Sequence, residues 1–379
     1  MLNGKFSRSL LRTILGTALF VTALPLFAED VEVTPTTENG IVWFDATQWP
    51  VEGKGWTETN RYFCRIPADA EGSVTESVKG LAQDSAGMLV RFRTDADTIS
   101  VKYKLYSATL AMAHMPATGV SGLDLYAFTN NKWNWVACTM PKQQESTDTL
   151  ISGLGQGMRD YLLYLPLYNG VDTLSIGVPE GSEFHAVAPR PEKPIVYYGT
   201  SIAQGGCCSR PGNCYTAMLG RRFDWPVLNL GFSGSARMEP EVAQMMARLD
   251  PLLYVLDPVP NMNPGLIDER AVNFIKILRN AHPETPILMV DGRRYSNFHI
   301  RPSVADHCQK MTDAYRRAFD TLIAEGDKNL YWLGNENQTG ESLDFDATMD
   351  SSHLNDLGMF RMTDALEAAI RPIFEKATR

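Results

Sequence analysis

The sequence predicts two folded parts: an all-β sandwich of jelly-roll type, then an α/β domain built on a parallel sheet. Three observations lead there. The first half alternates short β-rich runs with turn signals and shows no long helical period. The second half alternates short, continuously apolar runs with amphipathic helical stretches, the pattern of a parallel sheet covered on both faces. Between them runs the proline-rich stretch Ala188-Pro-Arg-Pro-Glu-Lys-Pro194. The expected parts are a leader over 1–28, the sandwich over 29–187 and the α/β domain over 188–379.

In the sandwich, strands are expected at 88–93, 98–106, 123–128, 133–137, 159–165 and 173–177. Val101, Tyr103 and Leu105 alternate with Ser100, Lys102 and Lys104, which is the period of a half-buried antiparallel strand. Asn130-Asn131 and Asn169-Gly170 supply turns. In the second part, strands are expected at 195–198, 227–230, 252–256, 287–290 and 330–333, with helices near 213–223, 239–249, 268–281, 303–325 and 356–376. The last helix carries Phe360, Thr363, Leu366, Ile370, Ile373 and Phe374 on one face.

The chain has 379 residues, of which 44% are hydrophobic and 21% charged, the proportions of a globular protein rather than a fibrous or disordered one. Its net charge of −9 argues against binding a phosphate backbone, so no nucleic-acid partner is expected. Lys5, Arg8 and Arg12 precede sixteen uncharged residues from Thr13 to Ala28, and Glu29-Asp30 follow. That is the order of a secretory signal peptide, too short to span a bilayer. The expected location is secreted or periplasmic, with no membrane anchor in the mature form. Removing 1–28 takes away three basic residues and no acidic one, which leaves 32 basic against 44 acidic.

All six cysteines lie beyond the leader: Cys64, Cys138, Cys207, Cys208, Cys214 and Cys308. Export permits disulfides. Cys208 and Cys214 are close enough in sequence to close a tight loop and are expected to pair, and Cys64 with Cys138 is a further option. Zinc at Cys207, Cys208 and Cys214 is disfavoured, because adjacent cysteines rarely share a metal and no histidine lies nearby. Cys308 shares a helical row with Val304, Thr312, Tyr315, Phe319 and Leu322 and reads as a core thiol.

Working residues of an open parallel sheet sit at the carboxyl ends of its strands. The first of these strands runs into Gly199-Thr-Ser-Ile-Ala-Gln-Gly-Gly206, which exposes Ser201 on a tight turn. No Walker lysine follows, so a phosphate cradle is disfavoured. A serine nucleophile needs a base and an orienting group. Asp350-Ser-Ser-His353 offers both on one loop, since three residues let the carboxylate hold one imidazole nitrogen while the other faces the serine. Asn355 or Asp356 caps the helix that follows, which leaves Asp350 free. The other five histidines lack that spacing; His307 falls inside a helix and His282 in a turn. Gly234, after the second strand, can present a backbone N–H to an oxyanion, and Asn261, after the third, a side-chain amide.

These residues, in this order, resemble the four sequence blocks of SGNH (GDSL-type) hydrolases: Ser201, Gly234, Asn261 and Asp350-x-x-His353. The first half resembles the β-sandwich module that precedes some of them, marked by Gly122-Leu-Asp-Leu-Tyr126. Gly199-Thr-Ser-Ile-Ala-Gln-Gly-Gly-Cys-Cys-Ser-Arg-Pro-Gly212 is similar to block one of that two-domain group. The resemblance implies a three-layer α/β/α domain and cofactor-free, metal-free ester hydrolysis. It implies Ser201, Asp350 and His353 as the catalytic set, with the N–H groups of Ser201 and Gly234 and the amide of Asn261 as the oxyanion hole. The implied substrate is an acetylated glycan or another small ester. Block one reads Gly-Thr-Ser rather than Gly-Asp-Ser, and block three sets Asn261 between prolines and Met262. Two other readings stay open: a non-catalytic glycan-binding protein with a lapsed hydrolase domain, and a lipase or thioesterase. Arg210 and Arg237 flank blocks one and two, and salt-bridge or surface roles are expected for them.

Overall fold

A computed structural model describes residues 29–336, 338–339 and 345–378. Residues 1–28, where a signal peptide is expected, lie outside them. Two antiparallel sheets face each other in the first half. One has the order β1 (Asp30–Val31), β11 (Phe184–Val187), β4 (Leu89–Thr94), β9 (Arg159–Tyr164), β6 (Asp124–Thr129) and β7 (Lys132–Cys138). The other has the order β2 (Thr36–Glu38), β3 (Ile41–Asp45), β10 (Val171–Pro179), β5 (Ile99–Leu105) and β8 (Glu145–Ile151). On β5, Val101, Tyr103 and Leu105 point into the sandwich and Lys104 points to water, as the alternation predicts. Asn130 and Asn131 both adopt positive φ, 54° and 59°, which gives the β6–β7 hairpin a turn whose twist matches its strands.

The sheet containing β4, β9 and β6 departs from expectation. It is buried on both faces. Tyr161 and Leu163 of β9 enter the sandwich core, whereas Leu162 and Tyr164 point the other way and pack on the α/β domain. Leu125 and Ala127 of β6 divide from Tyr126 in the same manner. This explains why the run Tyr161-Leu-Leu-Tyr164 is apolar throughout. The short helices α1 (Glu76–Leu81) and α2 (Ala117–Val120) fill connections at that junction.

The second half is a parallel sheet of order β13 (Val227–Gly231), β12 (Ile195–Gly199), β14 (Leu253–Asp257), β15 (Ile287–Val290) and β16 (Leu330–Leu333). Helices α4 (Tyr215–Phe223) and α8 (Asp356–Ala377) cover one face, and α5 (Pro240–Met246), α6 (Pro264–Ala281) and α7 (Pro302–Ala324) the other. It is a three-layer α/β/α domain. The chain leaves β12 for β13 on one side and returns to β14 on the other. The crevice outside the carboxyl ends of these central strands is therefore the expected ligand position.

The two halves share cores across the proline-rich connection. Cys64, Ile66, Ala70, Val74, Val78 and Ala82 pack with Leu228, Leu230 and Phe232 of the α/β domain. Fully burying one such side chain contributes about 1.5–3 kcal/mol. Arg65 pins the same contact. Its buried guanidinium donates to Asn229 O at 3.2 Å, Gly231 O at 2.7 Å, Leu81 O at 2.6 Å and Asp84 O at 2.8 Å. Those carbonyls satisfy a cation that would otherwise be costly to bury.

Several expectations need correction. All six cysteines are free thiols. The segment between Cys208 and Cys214 is held by other means, with Ser209 N donating to Asp356 and Gly212 N to Asp124. The Cys208 and Cys214 thiols form a hydrogen-bonded pair without bridging, and Cys214 Sγ also donates to Ala203 O at 3.3 Å. Cys64 bonds to Ile66 O and Cys138 to Thr139 O, each within its own surroundings. Cys308 is half-buried, because burial along α7 begins only at Met311. On α8, Phe360 faces outward, 46% exposed, while Met359 and Met362 take the inner positions.

Candidate active site

Ser201 is the first residue of α3 (Ser201–Gln204), a single helical turn entered directly from β12 and missed as a helix by the turn reading. Thr200 is its cap and accepts the N–H of Ile202 at 3.3 Å, so the threonine standing where the family motif has aspartate serves the turn itself. As the first helical residue, Ser201 has an N–H without an intrahelical partner. Its carbonyl is held three ways: by Gly206 N at 2.7 Å, Gly205 N at 3.1 Å and the hydroxyl of Tyr168 at 2.9 Å.

His353 reaches this turn from the loop before α8. Its Nε2 lies 2.8 Å from Ser201 Oγ, and its Nδ1 lies 2.8 Å from Asp350 Oδ2. The other carboxylate oxygen, Oδ1, accepts the backbone N–H of Ser352 at 3.0 Å and of His353 at 2.7 Å. Asp350 thus anchors the loop and the ring together. Partial burial pushes its carboxyl up, but the hydrogen bonds from His353 and Ser352 outweigh this, and it sits below the ordinary aspartate range. Asn355 caps α8 by accepting Gly358 N at 3.0 Å, as expected.

The candidate oxyanion donors lie on the adjacent loops. Gly234 has φ +67° and open space where a Cβ would be, and its N–H meets no acceptor among the described residues. Gly231, at the end of β13, is required by closeness: a Cβ there would stand 2.2 Å from Gln204 N. Asn261 ends a 3-10 turn after β14, and its Nδ2 donates to Phe232 O at 3.2 Å, which ties the two loops together and leaves its second amide hydrogen free of that bond. Arg210 forms a salt bridge with Asp124 at 2.9 Å, the expected role, and Arg237 is exposed with its Nε on Gly234 O.

Sequence reasoning missed the supports that come from the sandwich. Gln204 Nε2 donates to Asp84 at 2.9 Å, and Gln204 Oε1 accepts the N–H of Ser233 at 3.1 Å, next to Gly234. Burial raises the Asp84 carboxyl to about 6. Tyr168, also from the sandwich, supports the Ser201 carbonyl. His114 lies with its ring centroid 6.3 Å from that of His353. None of these has a local sequence signal, since each matters only through a partner far away in the chain. His185 pairs with Asp30 and Glu183 elsewhere on the sandwich. Among the described residues, no group of three or more His, Cys, Asp or Glu side chains could hold a metal ion.

The profile of the GDSL-like lipase/acylhydrolase family matches residues 192–371, and that of the N-terminal module of SGNH-hydrolase-type esterases matches residues 41–184. A crystal structure of a GDSL-like lipase from Bacteroides ovatus ATCC 8483 is 31% identical, with a TM-score of 0.84 over 88% of this chain and 98% of that one. The chain belongs to the GDSL-like lipase/acylhydrolase family. Membership makes it an ester-bond hydrolase, as the resemblance implied. Two more distant structures share the fold. A salicylyl-acyltransferase from a tetracycline biosynthetic pathway is 16% identical, with a TM-score of 0.68 over 92% of this chain and 99% of that one. A family two carbohydrate esterase from Cellvibrio japonicus is 11% identical, with a TM-score of 0.56 over 91% and 98%. No curated protein matches the chain. No helix of the described residues is long and apolar enough to cross a membrane.

Proposed function

We propose that this GDSL-family hydrolase is an exported serine esterase that removes short acyl groups, acetyl above all, from carbohydrates. The observation that carries the mechanism is the line from Ser201 Oγ through His353 to Asp350, with 2.8 Å at each step. Ser201 Oγ attacks the ester carbonyl while His353 Nε2 takes its proton. The resulting oxyanion meets the N–H groups of Ser201 and Gly234 and the amide of Asn261. Collapse breaks the bond to the alcohol, which receives the proton from His353 and leaves an acyl-Ser201. Water then repeats the cycle and releases the acid. Asp350 keeps Nδ1 protonated and faces the positive charge that develops on the ring. No metal or cofactor takes part.

The sandwich over 29–187 and the hydrolase over 188–379 act as one body in this reading, supported by their shared cores. Export rests on the basic and apolar order of residues 1–28. The carbohydrate substrate rests on the carbohydrate esterases that share the fold, including one from Clostridium thermocellum in complex with cellohexaose at a TM-score of 0.52. The test is a p-nitrophenyl acetate assay under pre-steady-state conditions. A burst of nitrophenol equal to the enzyme concentration is expected, absent from Ser201→Ala. A Ser201→Ala protein with wild-type turnover would refute the assignment of Ser201, and a wild type with neither burst nor turnover would favour the non-catalytic reading.

A further inference from the structure

The β6–β7 hairpin places four aromatic side chains on one face. Tyr126 pairs across the strands with Trp135, and Phe128 with Trp133. Tyr126 is buried against Arg221 of α4, but Trp135 is 52% and Phe128 39% exposed. The rings are held in place. Phe128 packs edge-on to Trp133 at 5.2 Å, Trp133 Nε1 donates to Asp224 at 3.3 Å, and the Arg210 guanidinium sits 5.0 Å from the centre of Trp135. A groove of about 510 Å³ opens between this hairpin and the helices α4 and α8. Phe360, the residue expected in the core, forms its far wall, and Asn131, Lys132 and Arg222 rim it. A volume of this size is that of a small-ligand site.

One wall of the groove, Phe360 of α8, lies seven residues beyond His353, and the groove runs from there to Asp224, which precedes β13. Arg210, under Trp135, lies on the loop that follows the Ser201 turn, and the neighbouring Ser209 N–H bonds to Asp356 at the first turn of α8. Asp356 is three residues beyond His353. Leu357, 44% exposed, and Phe360 stand one turn apart on the same side of α8, so they continue the path away from His353. Flat aromatic faces bordered by amide, ammonium, guanidinium and carboxylate groups complement a pyranose, which has apolar C–H faces and a rim of hydroxyls that both donate and accept. The exposed apolar groups are too few for a stable contact with a second copy of the chain, which takes about 20–30 residues a side.

From this placement we infer that the groove between the β6–β7 hairpin and α8 binds sugar units flanking the acylated one, so that the substrate is a polysaccharide chain rather than an isolated small ester. This rests on the carbohydrate-esterase reading above. The experiment compares wild type, Phe360→Ala and Trp133→Phe on acetylated xylan, acetylated glucomannan, acetylated pectin and p-nitrophenyl acetate. The expected result is a loss of about tenfold in kcat/KM on the preferred polymer for Phe360→Ala, carried by KM, with p-nitrophenyl acetate turnover unchanged; one ring contact is worth that order. Trp133→Phe keeps the packing against Phe128, and a smaller loss in the same direction is expected. Variants that match wild type on a polymer the wild type cleaves would overturn this inference alone. Equal losses on polymer and p-nitrophenyl acetate would overturn it too, because the groove would then act through the fold. Wild type that cleaves p-nitrophenyl acetate but none of the polymers would overturn the carbohydrate reading together with the inference. A dimer in light scattering that Phe360→Ala dissolves would assign the groove to a second copy of the chain.

Discussion

Asp350→Asn separates the two tasks of that carboxylate. Three hydrogen bonds enter Asp350 from its own loop: the N–H groups of Ser352 and His353 on Oδ1, and the ring of His353 on Oδ2. Asparagine retains an oxygen at Oδ1 and so keeps both backbone bonds. At the other position it brings an NH₂ where an acceptor stood. Nδ1 of His353 must then give up its hydrogen and accept from the amide, which moves the ring hydrogen to Nε2. In that tautomer Nε2 cannot take the proton of Ser201, although it remains 2.8 Å away. The fold loses little: two of three bonds persist, the third is reversed rather than broken, and one neutral hydrogen bond is worth about 0.5–1.5 kcal/mol. The cost falls on kcat, by about four orders of magnitude, the size of the same tautomer inversion in a Ser-His-Asp hydrolase. Asp350→Ala leaves Nδ1 to water and is expected to be milder on kcat, yet worse for stability, since both backbone N–H groups lose their acceptor. Stopped-flow turnover of p-nitrophenyl acetate and thermal unfolding of the two variants check this. If Asp350→Asn retains more than a tenth of wild-type kcat, Asp350 does not set the tautomer.

Other outcomes follow from the same geometry. Asn261→Ala should lower kcat by roughly 10²–10³ with KM little changed, because its amide meets a charge present only in the transition state; wild-type kcat would remove Asn261 from the oxyanion hole. Ser201→Ala and His353→Ala should each lower kcat by several orders of magnitude, and the double variant should be little worse than either, as measured in the same assay. Tyr168→Phe should cost about tenfold or less in kcat, because the Ser201 carbonyl keeps its bonds from Gly205 and Gly206; a larger loss would place the hydroxyl in the chemistry itself. The Asp84 carboxyl, raised to about 6 by burial, binds its proton more tightly folded than unfolded, where it is near 3.9. Its contribution to stability therefore declines as pH rises from about 4 to 6. Urea midpoints of Asp84→Asn, which keeps an acceptor for Gln204, should show a shallower decline across that window than wild type.

Much of the fold is legible from local pattern. The strands of the parallel sheet are short apolar runs because both faces are covered, and the helices between them carry clear amphipathic stripes. What was misread has a tertiary cause. The edge strand β8 reads Glu-Ser-Thr-Asp-Thr-Leu-Ile and carries little apolar signal, because one side of it is in water. Phe360 fits the helical stripe of α8 by spacing, but the inner surface there is already filled by Met359 and Met362. The expected Cys208–Cys214 bridge followed from sequence distance, and the two thiols do meet, but as a hydrogen-bonded pair rather than a disulfide, while the loop between them is tied to Asp124 and Asp356.

The site divides in the same way. Ser201, Gly234, Asn261 and the Asp350–His353 pair are legible because each sits at a strand end or on one short loop, where a few consecutive residues fix the geometry. The groups that hold them still are not. Arg65 grips the carbonyls of Asn229 and Gly231 from 164 and 166 residues away, and Gln204 reaches Asp84 across 120. No window of sequence contains both partners, so no periodicity or motif marks them. Their effect is nevertheless specific. Arg65 fixes the end of β13, Gln204 fixes Ser233, and Gly234 follows on the same turn. The sandwich thereby sets the position of Gly234, the candidate oxyanion donor that the hydrolase half carries. That makes the first half part of the active site's framework and not only an attached module, and it accounts for why its strands β4, β6 and β9 spend apolar side chains on both of their faces.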